Sequence, residues 1–279
     1  FLSSGPPIPA LESWLQRQLN TESDRLQHLL EKLWSGVVWQ RQDRVLVIGI
    51  SSLLWCVTPL KAVPEGGVTI MSSEKERVRL IAQLKILDPI LRPAFVSDSS
   101  DSFSQLEKNQ FEWIGGRISL SDLNNKEKIM LWEKITSKCS VNAGLRVFFS
   151  LPLLGPAASL RQLCNDTNIK ELNKDFMSEM ISLEQDYLAK KSNDQLLIDQ
   201  LMQLNWELEF ETWEEEMVLD IDDYLEARWL NQDSKFFNFL NNSVTEEKLD
   251  YLRHLLQKLK GKKLPQKVMH KRILGTLRN

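Results

Sequence analysis

Between residues 44 and 152 short apolar runs rich in branched side chains alternate with stretches of helical spacing, a rhythm that few folds accept. The runs are "RVLVIGI" at 44–50, Val68 to Met71, "AFVS" at 94–97, Phe111 to Ile114 in "FEWIGGR", and "LRVFFSLP" at 145–152. A brief unbroken apolar run suits a strand covered on both faces. Parallel neighbours need long crossovers, usually helical, so the alternation predicts a parallel sheet with helices on both sides. Local punctuation agrees: residues 52–63 are predicted helical, "PEGG" is a turn, and Ser73 with Glu76 forms a capping box for a helix reaching about Leu87. "NKEKIMLWEKITSKC" is predicted helical, and "NAG" is a turn before the fifth run.

Upstream, a Gly/Pro/Ser-rich lead precedes a predicted helix, with Thr21 and Asp24 as its capping box and Leu26, Leu29, Leu30, Leu33 and Trp34 on one face; we expect it to pack on the edge of the domain. Downstream, residues 157–204 are predicted to be largely helical and "WELEFETWEEEMVLDI" to be extended. A further helix is expected to open at Ser243 with Glu246 as box partner, and "VMHKRILGTL" is expected to be the last strand. The expected division is 1–36, linker and helix; 37–165, a Rossmann-like half; and 166–279, helical insertions with the strands that complete the same sheet.

Composition narrows the chemistry. With 35 basic and 38 acidic side chains the net charge is −3, so no global attraction to nucleic acid or anionic membrane is expected. Three separated cysteines and three histidines offer neither a zinc pattern nor a disulfide framework, and we expect no metal and a cytoplasmic location. No apolar stretch suits a membrane span. The start at Phe1, without a methionine, leads us to expect a piece of a longer chain.

The order of elements resembles a class I S-adenosylmethionine-dependent methyltransferase, over about Val37 to the C-terminus. The resemblance implies a Rossmann-like, seven-stranded α/β sheet, mainly parallel, with the last strand antiparallel. "VLVIGISSLLW" lines up with the family's glycine-rich loop: Gly49 matches the first glycine, Ser51 the second and Leu53 the third, with Ser52 between them and Val47 at the usual acid. Glycine lets a backbone approach a ligand closely, so side chains at Ser51 and Leu53 are expected to narrow the pocket. Ser72 stands where the family places an acid against the ribose hydroxyls, a loss of about 1.5–3 kcal/mol for a hydrogen bond to a charged group. Asp98 matches the position on the adenine edge, while Gly115, Gly116 and Arg117 sit after the fourth strand. The resemblance thus implies a weakened S-adenosylmethionine site at Gly49, Ser51, Ser52, Ser72, Asp98, Gly115 and Arg117. Each residue also has a structural reading: a strand-to-helix turn at Gly49, a solvated acid at Asp98, a surface ion pair at Arg117. No catalytic constellation is apparent; the Asn/Asp-Pro-Pro motif and the Pro-Cys nucleophile of nucleic-acid methyltransferases are both absent.

A closer resemblance rests on the weakened loop, "FFSLPLLGPAASL" and "LPQKVMHKRILGTL": the chain is similar to the degenerate methyltransferase-like domain fused behind RarA-type AAA+ ATPases of replication and recombination. It implies that ATPase on the same chain as partner, and an accessory role; the alternative is an active methyltransferase with an atypical donor site. Lys258, Lys260, Lys262, Lys263, Lys267, Lys271 and Arg272 form a basic tail that could contact DNA phosphates or simply be solvated. The ten carboxylates between Glu207 and Glu226, with no basic residue among them, are expected on the wet face of an edge strand.

Overall fold

The computed structural model describes residues 24–278 except 51, 88, 90–91, 100–102, 104–105, 167–172, 231–237 and 240–241. Thr21 of the proposed first capping box therefore lies outside the described residues.

The expected strands form, in one seven-stranded sheet of order β3-β2-β1-β4-β5-β7-β6. They are β1 (Arg44–Ile48), β2 (Gly67–Ser72), β3 (Ala94–Ser97), β4 (Phe111–Arg117), β5 (Cys139–Pro152), β6 (Trp206–Asp220) and β7 (Lys263–Leu277). The first five are parallel, with Ile48 opposite Met71 on one side and Gly116 on the other. β7 enters antiparallel between β5 and β6: the Leu153 N–H reaches the Lys267 carbonyl, and Arg278 and Ile221 pair with Asn205 and Lys262. This is the Rossmann-like arrangement that the alternation and the resemblance imply.

The helices are α1 (Asp24–Trp34), α2 (Val57–Ala62), α3 (Glu74–Gln83), α4 (Lys126–Thr136), α5 (Pro156–Asp166), α6 (Lys174–Lys191), α7 (Gln195–Gln203), α8 (Asp223–Leu230) and α9 (Glu246–Lys258). α3 opens with the expected capping box of Ser73 and Glu76. Two expectations about local boundaries fail. α9 begins at Glu246 with Thr245 as cap, and the Ser243 hydroxyl donates instead to the Phe239 carbonyl. "NAG" is not a turn before a strand but a bulge inside β5. Phe111 pairs with Cys139 and Trp113 with Gly144, so β5 accommodates extra residues there, and Asn142 takes the left-handed φ of 62° that bulges favour.

Packing divides the chain into two units. The first holds the described residues up to Phe149 with Asp194–Glu211 and the chain from Lys271. Its core includes Leu46, Ile114, Trp132, Leu145, Phe149 and Ile273. In it α1 packs on the central strand β4, not on an edge: the Trp34 indole fills the space a Cβ at Gly115 would need, 2.1 Å away. Arg272, 2% exposed, closes the end of α1 by donating to the Leu33 and Ser35 carbonyls at 3.3 and 2.6 Å and to the Ser35 hydroxyl and Glu211 at 2.8 and 3.0 Å. Those are the orphan carbonyls of a helix C-terminus.

The second unit, Ser150–Asn193 with Thr212–His270, has its own core, including Leu160, Met177, Met180, Leu249 and Leu256. Glu184 on α6, 1% exposed, accepts the Ala157 and Ala158 N–H groups at 2.6 and 3.3 Å and so caps α5 from a neighbouring helix. Burial pushes its carboxyl up to about 7, against the opposing pull of those two hydrogen bonds. Among the described residues no helix is long and apolar enough to cross a membrane.

Candidate functional site

The strand register aligns four of the seven predicted positions along the carboxyl ends of the parallel strands, where open α/β sheets bind ligands. Ser97 lies beside Ser72, Met71 beside Ile48, and Ile48 beside Gly116, so Asp98, Ser72, Gly49 and Arg117 follow one another across the sheet. Ser52 joins this row from the turn after β1, where it caps a short 3-10 turn, Leu53–Cys56.

Gly49 has φ of 62°, and a Cβ there would lie 1.8 Å from the Arg117 carbonyl oxygen. Its glycine is required by the packing of β1 against β4, whether or not a ligand is present. Leu53 does not narrow a pocket, contrary to expectation: it is fully buried, because the 3-10 turn directs its side chain into the core. Ser51 lies outside the described residues. Gly115 is set back from the row, inside β4 under Trp34, and is a packing glycine rather than a ligand contact.

The polar groups of the row already have protein partners. The Leu53 N–H donates to the Gln83 side-chain carbonyl at 2.9 Å, and the Leu54 N–H to the Ser52 hydroxyl at 3.3 Å. Asp98 forms an ion pair of 2.5 Å with Lys128 of α4, while its N–H donates to the Ser72 carbonyl. The Arg117 guanidinium lies over the Trp55 and Phe148 rings, 5.4 and 5.8 Å from their centroids. Ser72 differs. Its hydroxyl is buried, and among the described residues it has no hydrogen-bond partner.

S-adenosylmethionine needs backbone donors at the glycine turn and an acid for the ribose. Here the Leu53 and Leu54 amides bond to Gln83 and Ser52, a buried serine stands at the matched acid, and Asp98 pairs with Lys128. A cleft of about 410 Å³ opens beside Asp98 along α4, lined also by Ser99, Lys128, Met130 and Leu131, but its lining includes none of Gly49, Ser52 and Ser72.

Gln83 and Lys128 escaped sequence reasoning because each acts across 30 residues of chain on a partner that only the fold brings near. The same holds in the second unit for Ser150, His270 and Glu215. Nδ1 of His270 is 2.8 Å from the Ser150 hydroxyl, and Nε2 is 3.2 Å from Glu215. The order resembles a hydrolytic relay, yet the imidazole is fully buried and stacked on Trp213 at 5.1 Å. It joins three adjacent strands side by side, which fixes their register.

The basic tail meets the acidic stretch. Lys260 pairs with Asp223, Lys263 with Asp220 at 2.5 Å, Lys267 with Glu214 at 2.5 Å, and Lys271 with Asp194 at 2.6 Å. Lys258 and Lys262 are exposed. Arg272 is buried under α1 and cannot reach a phosphate. Among the described residues no group of three or more His, Cys, Asp or Glu is placed to hold a metal ion. The three cysteines are buried, and burial pushes the Cys139 thiol, aided by the charge of Glu112, up to about 12.

No family model matches this sequence, and no curated protein matches it. Solved structures do resemble the fold. A Bacillus halodurans protein assigned to the methyltransferases has a TM-score of 0.53 at 13% identity, over 90% of this chain and 99% of that one. Phosphoethanolamine N-methyltransferase 2 of Haemonchus contortus, bound to phosphomonomethylethanolamine and S-adenosylhomocysteine, has 0.45 at 14%, over 92% and 53%. Geranyl diphosphate C-methyltransferase of Streptomyces coelicolor has 0.43 at 12%, over 95% and 82%. The chain therefore has the Rossmann-like fold of the methyltransferases.

Proposed function

We propose that this chain is an accessory, non-catalytic domain of methyltransferase fold that serves a RarA-type AAA+ ATPase in DNA replication, recombination and repair. One observation carries the non-catalytic part: the amide of Leu53, at the turn where the fold's enzymes hold their methyl donor, is bonded to Gln83 within the protein. The ion pair of Asp98 with Lys128 supports it. A donor would have to break these contacts before making its own, and a neutral hydrogen bond of about 1 kcal/mol corresponds to roughly fivefold in affinity.

Titration calorimetry with S-adenosylmethionine and S-adenosylhomocysteine tests this reading. We expect no heat of binding up to about 1 mM, whereas a dissociation constant on the order of 10 μM or tighter overturns it and favours an active enzyme with an atypical donor site. The link to the ATPase rests on "FFSLPLLGPAASL" and "LPQKVMHKRILGTL". It is checked by reading the frame upstream of Phe1 for a GxxxxGK[ST] loop.

A further inference from the structure

We infer that the outer edge of β6, from Thr212 to Asp220, is a docking strand for an extended basic segment of another protein. The inference rests on the second unit alone and stands whether or not the reading above holds.

β6 ends the sheet, so among the described residues one side of it faces no strand. Its pairing with β7 decides which residues look outward. Asn205 and Ile221 bond to Arg278 and Lys262, the residues that flank β7, and both are odd-numbered; between them Asp220 pairs with Lys263 and Trp213 stacks on His270, positions that keep the same offset. Backbone groups alternate along a strand, so the odd residues bond inward, and Thr212, Glu214, Glu216, Val218 and Asp220 direct their N–H and C=O groups away from the sheet. All five are exposed, Val218 to 60%. Nine residues span about 30 Å, a longer open edge than proteins usually leave.

The side chains of this edge choose the occupant. Glu214, Glu216, Val218 and Asp220 share one face of the strand. Lys267 and Lys263 of β7 pair with Glu214 and Asp220, and the face retains a negative excess at Glu216. A second copy is disfavoured: antiparallel self-pairing of Thr212–Asp220 about its midpoint sets Glu216 against Glu216, and like charges directly opposite destabilise a pair. A strand of the pattern basic-x-apolar-x-basic-x-basic, running antiparallel, places cations against Asp220, Glu216 and Glu214 and an apolar group against Val218. Main-chain bonds supply affinity in such strand addition, and the alternate side chains supply selectivity.

The test is fluorescence anisotropy with the whole chain and a labelled peptide TKTVTKTKT, beside its acidic counterpart TETVTETET. The basic peptide is expected to bind at least about tenfold more tightly. Val218→Pro removes an outward N–H while sparing the β7 ladder, and should weaken binding about tenfold with little change in thermal midpoint. Glu216→Lys should shift preference toward the acidic peptide. Should the proline variant fail to fold, a basic peptide N-methylated at the residues facing β6 should lose binding to the unaltered protein. Equal affinity for both peptides, no binding up to about 1 mM, or binding indifferent to Val218→Pro and to N-methylation would each overturn the inference. Sedimentation showing a dimer that Val218→Pro dissolves would name a second copy as occupant and overturn it too.

Discussion

Ser72 is buried with no hydrogen-bond partner for its hydroxyl among the described residues. A buried hydroxyl left in this state costs about 1–3 kcal/mol. Ser72→Ala should therefore stabilise the chain by about 1 kcal/mol, read as a higher urea midpoint with an unchanged slope. Destabilisation instead would mean that the hydroxyl has a partner worth keeping. The need for glycine at 49 was legible, since the run "VLVIGI" ends where a strand must turn, and the left-handed φ confirms it. The direction of Leu53 was not, because a 3-10 turn of four residues decides whether that side chain faces a ligand or the core. Gln83 carries no local signal at all. Its side chain matters through an amide 30 positions away.

Among the elements, α1 is held by Arg272 more than by its own sequence. Replacing this arginine by leucine leaves the carbonyls at the helix end without donors and Glu211 without its cation. We expect Arg272→Leu to cost about 3 kcal/mol in urea unfolding and to speed amide exchange in α1 first. Exchange that rises evenly through the first unit would show that the clamp is not local. The sequence marked Arg272 as part of a basic tail and Glu207–Glu226 as an acidic block, two features that looked unrelated. They lie mostly on the two strands of one antiparallel pair, where Lys263, Lys267 and Arg272 meet Asp220, Glu214 and Glu211. What hides this in one dimension is register: nothing local says that residue 220 faces residue 263.

For the whole molecule, the pH dependence of stability should carry the mark of Glu184. Its folded pKa of about 7 lies above the ordinary 4.5, so the stabilisation it gives through proton uptake is complete below pH 4.5 and is lost as pH rises through 7. Glu184→Gln keeps a carbonyl for the α5 amides and removes the buried charge. Calorimetry should show its thermal midpoint about 5 °C above that of the parent at pH 8, with the gap closing toward pH 5. A constant gap would assign the effect to packing. The parallel half of the sheet was legible because strands and crossover helices leave alternating periods in the chain, whereas the antiparallel insertion of β7 was implied by the resemblance alone. The helical insertions were legible only as helices; that they gather a separate core around Met177 and Leu249 depends on contacts between distant segments.

The bond from Gln83 to the turn after β1 has a consequence beyond this chain's chemistry. A loop fastened from within is complete before any visitor arrives, so the demands of folding alone are enough to preserve it. Substitutions along that row are then judged first by how they pack.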